Sequence, residues 1–414
     1  MSRINRRDLL RAAAATPLLL TPVAVKGVDR ESTRKKLPIA AVVTAYRENS
    51  HADVVIGKIL EGFDQKGGKG PNLRVVSMYT DQLPAGDMSR DLAKKHGFAI
   101  TKTIDEAITL GTNKVQVAGV LSIGEHGNYP YTKETNQHMY PRRRFFNGIV
   151  AAFKRCGHVV PVFNDKHLSY RWEDAKHMFD TSREMKFPMM AGSSLPVAWR
   201  EPAESLPLNS EIEDALVVGY GGLESYGFHA LETLQCVIER RRGGETGVKT
   251  VQAVREDQIW KAERDGRWSR ELLDSALKTI PDVPKGDLKT RLTKGAAFYL
   301  IEHSDGFQST VAMANGVARH FAIAVKLLGR REPFAQWFRL EDAKPYGHFT
   351  YLVKAIESMI HTGKPSYPVE RTLLTTGVLD RVMHSLANNG KRLATHELAV
   401  RYKAVDWPFA NHAT

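Results

Sequence analysis

A chain of 414 residues, 42% of them hydrophobic and 25% charged, has the composition of a globular protein long enough for two domains. Its formal charge of +13 is spread over separated basic runs, Arg34-Lys35-Lys36, Arg142-Arg143-Arg144 and Arg240-Arg241-Arg242, which read as solvated faces; no helix-turn-helix, zinc-knuckle or ribonucleoprotein pattern points to nucleic acid. Its two cysteines, Cys156 and Cys236, build neither a disulfide framework nor a thiolate metal site.

The first residues read as an address. Asn5-Arg6-Arg7-Asp8-Leu9-Leu10-Arg11 resembles the twin-arginine export motif, and the weakly apolar run over 12–20 that follows is too short to span a bilayer. Residues 1–36 are therefore expected to be signal and linker, with export to the periplasm and no stable membrane insertion.

From residue 37 the pattern predicts a Rossmann-like domain over 37–167, a doubly wound parallel sheet. A strand over 38–44 feeds a loop and then a helix that begins at His51 with Ser50 as its N-cap; the next strand covers 73–78. Asp81 lies where a ribose-binding acid would stand in such a βαβ unit. The loop Tyr46-Arg47-Glu48-Asn49-Ser50 lacks the glycines that let a backbone approach pyrophosphate, although the helix start at Ser50 and the charge of Arg47 suit a phosphate. A dinucleotide site and a degenerate Rossmann scaffold that binds nothing or something smaller both remain open at this point.

Further on, a helix over 89–96, a strand over 98–100, a helix over 104–110 and a strand over 115–122 continue the alternation. The last strand ends in Ile123-Gly124-Glu125-His126-Gly127, either the lip of a site or an exposed turn. A helix over 141–155 leads to a strand over 159–163, the polar elbow Asn164-Asp165-Lys166-His167, another helix and a strand over 188–191. A lysine just past an apolar strand sits where open α/β sheets bind ligands, which makes Lys166 the first catalytic candidate. Residues 168–414 are expected to form an α+β domain with an open, mainly antiparallel sheet. Its predicted strands cover 248–254, 260–263, 297–302 and 307–313, one face packs on helices, and the other is offered to a ligand or to a second copy in a homo-oligomer.

Three stretches resemble the Gfo/Idh/MocA family of oxidoreductases. Asp165-Lys166-His167 stands where members typically carry Glu-Lys-Pro, with Ala191-Gly192-Ser193-Ser194 matching the later strand end. Gly221-Gly222-Leu223-Glu224-Ser225-Tyr226-Gly227-Phe228-His229 follows the family's glycine pair, acid and Gly-x-His, and Tyr367-Pro368-Val369-Glu370-Arg371 resembles a closing helix of exported members. The resemblance implies an oxidoreductase that uses NAD or NADP on a small sugar or polyol. It also implies coenzyme contacts from Thr44, Tyr46, Arg47, Ser50, Asp81, Gly124, Glu125 and Lys166.

Oxidising a carbinol requires a base for the hydroxyl proton while hydride leaves the same carbon. Lys166 and His229 are the expected acid/base pair. Glu224 can orient the imidazole or a sugar hydroxyl, and His167 adds a second titratable group at the elbow. Trp260, Trp268, Tyr299 and Trp337 are either sugar-stacking or core residues. His51, His126, His167, His229, Glu125 and Glu224 are expected at the carboxyl edge of the sheet, but no close ligand spacing supports a metal there. Two other functions stay open: a non-redox carbohydrate lyase or epimerase, and a catalytically silent sugar-binding protein.

Overall fold

The first sheet is built on buried strands at its centre, the pattern required when both faces of a parallel sheet are covered, with more exposed strands over 73–80 and 99–101 towards one edge. The computed structural model describes residues 35–412 except Lys294 and Asp342, so the export motif lies outside the described residues. In chain order the first sheet is built from β1 (Leu37–Val43), α1 (His51–Leu60), β2 (Leu73–Thr80), α2 (Ser89–His96), β3 (Ala99–Thr101), α3 (Ile104–Thr109), β4 (Gly119–Ile123), α4 (Arg142–Cys156), β5 (Val162–Asp165), α5 (Trp172–Glu184) and β6 (Met189–Gly192). All neighbours are parallel, in the order β3-β2-β1-β4-β5-β6. This is the doubly wound order, and its topological switch lies between β1 and β4, where such sheets open a crevice at their carboxyl ends. The sheet does not end at residue 167 as expected: β6 pairs with β5 from Val162↔Met189 to Asp165↔Gly192, so the elbow lies inside the first layer.

The remainder contributes β7 (Trp199–Glu201), β8 (Ile212–Gly219), α6 (Ser225–Ile238), β9 (Val248–Val254), α7 (Asp257–Arg264), α8 (Arg270–Thr279), α9 (Leu288–Arg291), β10 (Ala297–His303), β11 (Gln308–Met313), β12 (Phe321–Leu327), β13 (Phe334–Arg339), α10 (His348–Thr362), α11 (Val369–Ala387) and β14 (Leu393–Ala394). Eight strands pair in the order β14-β9-β10-β11-β8-β12-β13-β7, and only β11 and β8 run parallel. Residues 260–263, expected as a strand, belong to α7. The apolar residues Ile259, Trp260 and Ala262 fall on one side of a helix and become its buried face.

Alternation within this sheet divides two cores. Val217, Ala253, Tyr299, Val311 and Ile323 pack towards α6 and α11, while Leu216, Val218, Phe298, Leu300 and Ala322 pack beneath α7 and α8. The chain's own helices thus cover the face that was expected to be open. Tyr299 is buried on the α6 side, where its hydroxyl donates to the carbonyl of Leu223 at 2.8 Å, whereas Trp260 and Trp268 are buried in the core beneath α7 and α8. Trp337 is partly buried against the same core. None of these four lines the main cavity. Helix α10 returns to pack on α1 through Phe349, Leu352 and Ile356, and α11 lies against α5, α6 and β9. No helix among the described residues is long and apolar enough to cross a membrane.

Candidate active site

The elbow after β5 is held in a conformation that costs free energy. Lys166 has φ of 62°, in the left-handed region disfavoured for a residue with a Cβ, and its amide donates to the carbonyl of Gly192 at 3.0 Å. Gly192 is required opposite it: its φ is 121°, and a Cβ there would lie 2.4 Å from Oε2 of Glu232. Asn164 fastens the turn by donating to the carbonyls of Asp165 and His167 at 3.2 and 3.1 Å. The ammonium of Lys166 is thereby placed 3.3 Å from Oε1 of Glu125 and 3.5 Å from the carbonyl of Ser225.

Glu125 is the electrostatic centre. It follows β4, and its second oxygen accepts from the buried guanidinium of Arg142 at the start of α4. Burial opposes its ionisation, but Lys166 and then Arg142 outweigh that and hold the carboxyl well below its ordinary range. Gly124 is small because Arg142 passes beside it, where a Cβ would meet Cγ of Arg142 at 2.7 Å. Arg142 was read as part of a solvated run. The helical spacing Arg142, Phe145, Phe146, Ile149 carries the signal that was missed, since all four share the buried face of α4. Arg241 departs in the same way, being buried between Glu245 and Asp305.

His167 does not add a titratable group to the cleft. Arginine only donates, so the 3.2 Å contact from Arg142 Nη1 fixes Nε2 of His167 as an acceptor. Burial, reinforced by Arg142, holds this imidazole neutral well below its usual range, with its ring against Phe228. His229 is also buried. Desolvation, then Lys166 and His51, push its pKa well down, so it does not titrate near neutrality as expected; it presents a neutral ring whose Nδ1 has no partner. Glu224 moves the other way: burial raises it to about 7, although its Oε2 accepts from the His138 amide at 2.8 Å, and its Oε1 is unpartnered. Glu232, one turn beyond His229 on α6, points away to Ser193, Thr372 and Thr375.

These groups line one cavity of about 930 Å³ at the carboxyl edge of the first sheet. Lys166, His167, Glu125, Glu224 and His229 meet there, joined by His51 and His126, and its wall includes Tyr131, Tyr140, Tyr226 and Tyr346. The tyrosines of the β4–α4 connection were not singled out in the sequence, because a long polar loop carries no periodicity. His51 and His126 approach with ring centroids 5.5 Å apart, yet no group of three or more ligating side chains suited to a metal occurs among the described residues.

The residues expected around a coenzyme are less uniformly placed. Thr44 is buried and donates to the carbonyl of Glu125 at 2.5 Å, tying the ends of β1 and β4 together. Tyr46 turns into the core and not into the crevice. The Ser50 hydroxyl accepts from the Asp53 amide and donates to the Arg47 carbonyl, so it serves as the helix cap. Arg47 is exposed at the start of α1 with no ion-pair partner among the described residues. Asp81 already accepts from Tyr79 at 2.7 Å, Tyr129 at 2.6 Å and Arg144 at 2.6 Å.

No family model and no curated protein sequence matches this chain. Solved structures do. GenD2 from gentamicin A biosynthesis in complex with NAD is 15% identical with a TM-score of 0.55, covering 87% of this chain and 97% of that one. An apo scyllo-inositol dehydrogenase from Lactobacillus casei is 10% identical with a TM-score of 0.54, covering 87% and 99%. A putative myo-inositol dehydrogenase from Sinorhizobium meliloti 1021 is 12% identical with a TM-score of 0.52, again covering 87% and 99%. At these identities the likeness is one of fold.

Proposed function

We propose that this chain is an NAD(P)-dependent oxidoreductase acting on a sugar or polyol hydroxyl, with Lys166 and His229 as its acid/base pair. The observation that carries the proposal is Lys166 itself. It is a buried ammonium in a strained turn, paired with Glu125, on the wall of a cavity beside the switch point of a dinucleotide-type sheet. The fold shared with an inositol dehydrogenase and with GenD2, which was solved in complex with NAD, supports the same reading.

A nicotinamide dinucleotide supplies the hydride acceptor when bound. The chain meets its demands partly: Arg47 and the N-terminus of α1 suit its phosphates, Asp81 retains lone pairs for a ribose hydroxyl, and Glu125 and Lys166 stand at the cavity end. Asp81 also favours an unphosphorylated ribose, because an acid there repels a 2′-phosphate. Within the cavity, the Lys166 ammonium stabilises charge developing on the carbinol oxygen, neutral His229 relays the hydroxyl proton away from or back to the substrate without keeping it, and Glu224 fixes a neighbouring hydroxyl.

The test is direct. Purified protein is denatured and assayed for released dinucleotide, and is separately titrated with NAD and NADP. Released or saturably bound nucleotide supports the proposal; neither release nor uptake contradicts it. A reporter fused to residues 1–36 tests the export route that belongs to the same proposal: Arg6 and Arg7 changed to lysine should abolish export.

The glycine-free turn and the engagement of Asp81 by three of the chain's own side chains favour a second reading, a non-redox lyase or epimerase using the same acid/base groups. Elimination from a 3-keto-glycoside without added coenzyme, lost in His229→Ala, would establish it. Saturable sugar binding without turnover, surviving Lys166→Ala, would instead mark a binding protein.

A further inference from the structure

His51 opens α1, the helix that follows the switch-point loop, and its ring reaches across to the end of β5. Its Nδ1 lies 2.7 Å from Oδ2 of Asp165, the residue immediately before Lys166. A carboxylate only accepts, so this contact puts the ring proton on Nδ1 and leaves Nε2 with its lone pair free. Asp165 is fully buried, and its other oxygen has no partner, so its side chain is committed to this histidine. Phe349 and His126 clamp the ring from two sides, with centroids 5.4 and 5.5 Å away, while 16% of the side chain stays exposed and lines the cavity. Nε2 has no hydrogen-bond partner among the described residues.

We infer that His51, oriented by Asp165, is a further acid/base residue of this site, whose Nε2 receives the proton released from the substrate hydroxyl and passes it to solvent. The inference rests on the oxidoreductase reading. In the step, the C–H electron pair leaves the carbinol carbon as hydride to a bound oxidised nicotinamide dinucleotide, the O–H bond breaks, the carbonyl forms, and the proton comes to rest on Nε2. The imidazolium so formed is compensated by Asp165, which keeps the Nδ1 proton. His229, fully buried beside the Lys166 ammonium, is the poorer place to leave that proton, and Lys166 itself is already paired with Glu125. Asp165 is a positioning residue in this scheme. The other charged or titratable groups around the ring are Glu125 and His126 after β4, His229 on α6 and His348 on α10.

The experiment compares the full-length wild type with His51→Gln and Asp165→Asn, checking each fold by thermal melting. His51→Gln should bind dinucleotide like the wild type but lose about 100-fold or more in kcat. Asp165→Asn should shift the acid limb of the kcat/KM profile to lower pH, because the ring loses its compensating charge. The ring signals of His51, followed by NMR through a pH titration, should move the same way in Asp165→Asn, a readout that needs no turnover. Unchanged kcat in His51→Gln, or an unmoved His51 titration in Asp165→Asn, overturns the inference. If Asp165→Asn does not fold, His51→Gln alone decides it. If the wild type neither binds dinucleotide nor oxidises a polyol, the oxidoreductase reading has failed, and the NMR titration still decides whether the pair exists.

Discussion

Glu224 and Arg142 carry the sharpest consequences at the scale of single residues. Burial holds Glu224 up to about 7, so it changes charge in the range where the enzyme is expected to work. If its carboxylate receives a substrate hydroxyl, kcat/KM rises with pH through about 7, and Glu224→Gln flattens that limb; a limb that survives in the variant removes Glu224 from the site. Arg142 touches no substrate in this scheme but neutralises buried Glu125 and donates to His167. Arg142→Met leaves both without that partner and should cost about 3–5 kcal/mol in urea unfolding, the usual result of stripping one member from a buried ion pair. Lys166 was legible from its place after an apolar strand, and His229 from its motif. Their states were not, because burial and neighbouring charge come from segments far away in sequence. His51 shows the same limit: nothing within α1 announces that Asp165, 114 positions on, will seize its ring.

The elements of the first sheet were readable because strand and helix periodicities alternate there with good caps; α2 covers the residues expected, and Ser50 caps α1 by accepting from Asp53. The second sheet was harder. The sequence does not mark β8 and β12, since short apolar runs do not distinguish a strand from a buried helix, and the apolar/polar alternation Trp260-Lys261-Ala262-Glu263 makes part of α7 mimic a strand. Glu232 illustrates what element packing adds. Lying on α6 beneath the β6 turn, it is raised by burial from 4.5 to about 7. Between these values the unfolded chain has released the proton while the folded chain still holds it, so this residue lowers stability as pH rises from 4.5 to 7. Glu232→Gln should remove that loss, a gain of about 3 kcal/mol at most above pH 7. Denaturant midpoints measured on both sides of the window check it; a variant with the same pH slope as wild type contradicts it.

For the whole molecule, the decisive feature is convergence at one edge. The ends of β4 and β5 bring Glu125 and Lys166, α1 brings His51, and α6 from the second layer brings His229 over them. Helices cover both faces of the second sheet, and α6, on the face turned towards the first layer, carries His229 to the cavity. Arg142, Arg241 and Arg371 are buried against acids that cancel their charge, so the net charge of +13 is carried by other residues. The central claim is oxidation at this edge with Lys166 beside the reacting hydroxyl. It is tested most directly by mixing the protein with NAD and a panel of inositols, sugars and polyols and following reduced-nicotinamide absorbance in wild type and Lys166→Ala. Reduction by at least one polyol in the wild type, lost in Lys166→Ala although dinucleotide still binds, is the predicted result. Reduction that persists undiminished in Lys166→Ala, or no reduction by a wild type saturated with coenzyme, would contradict it.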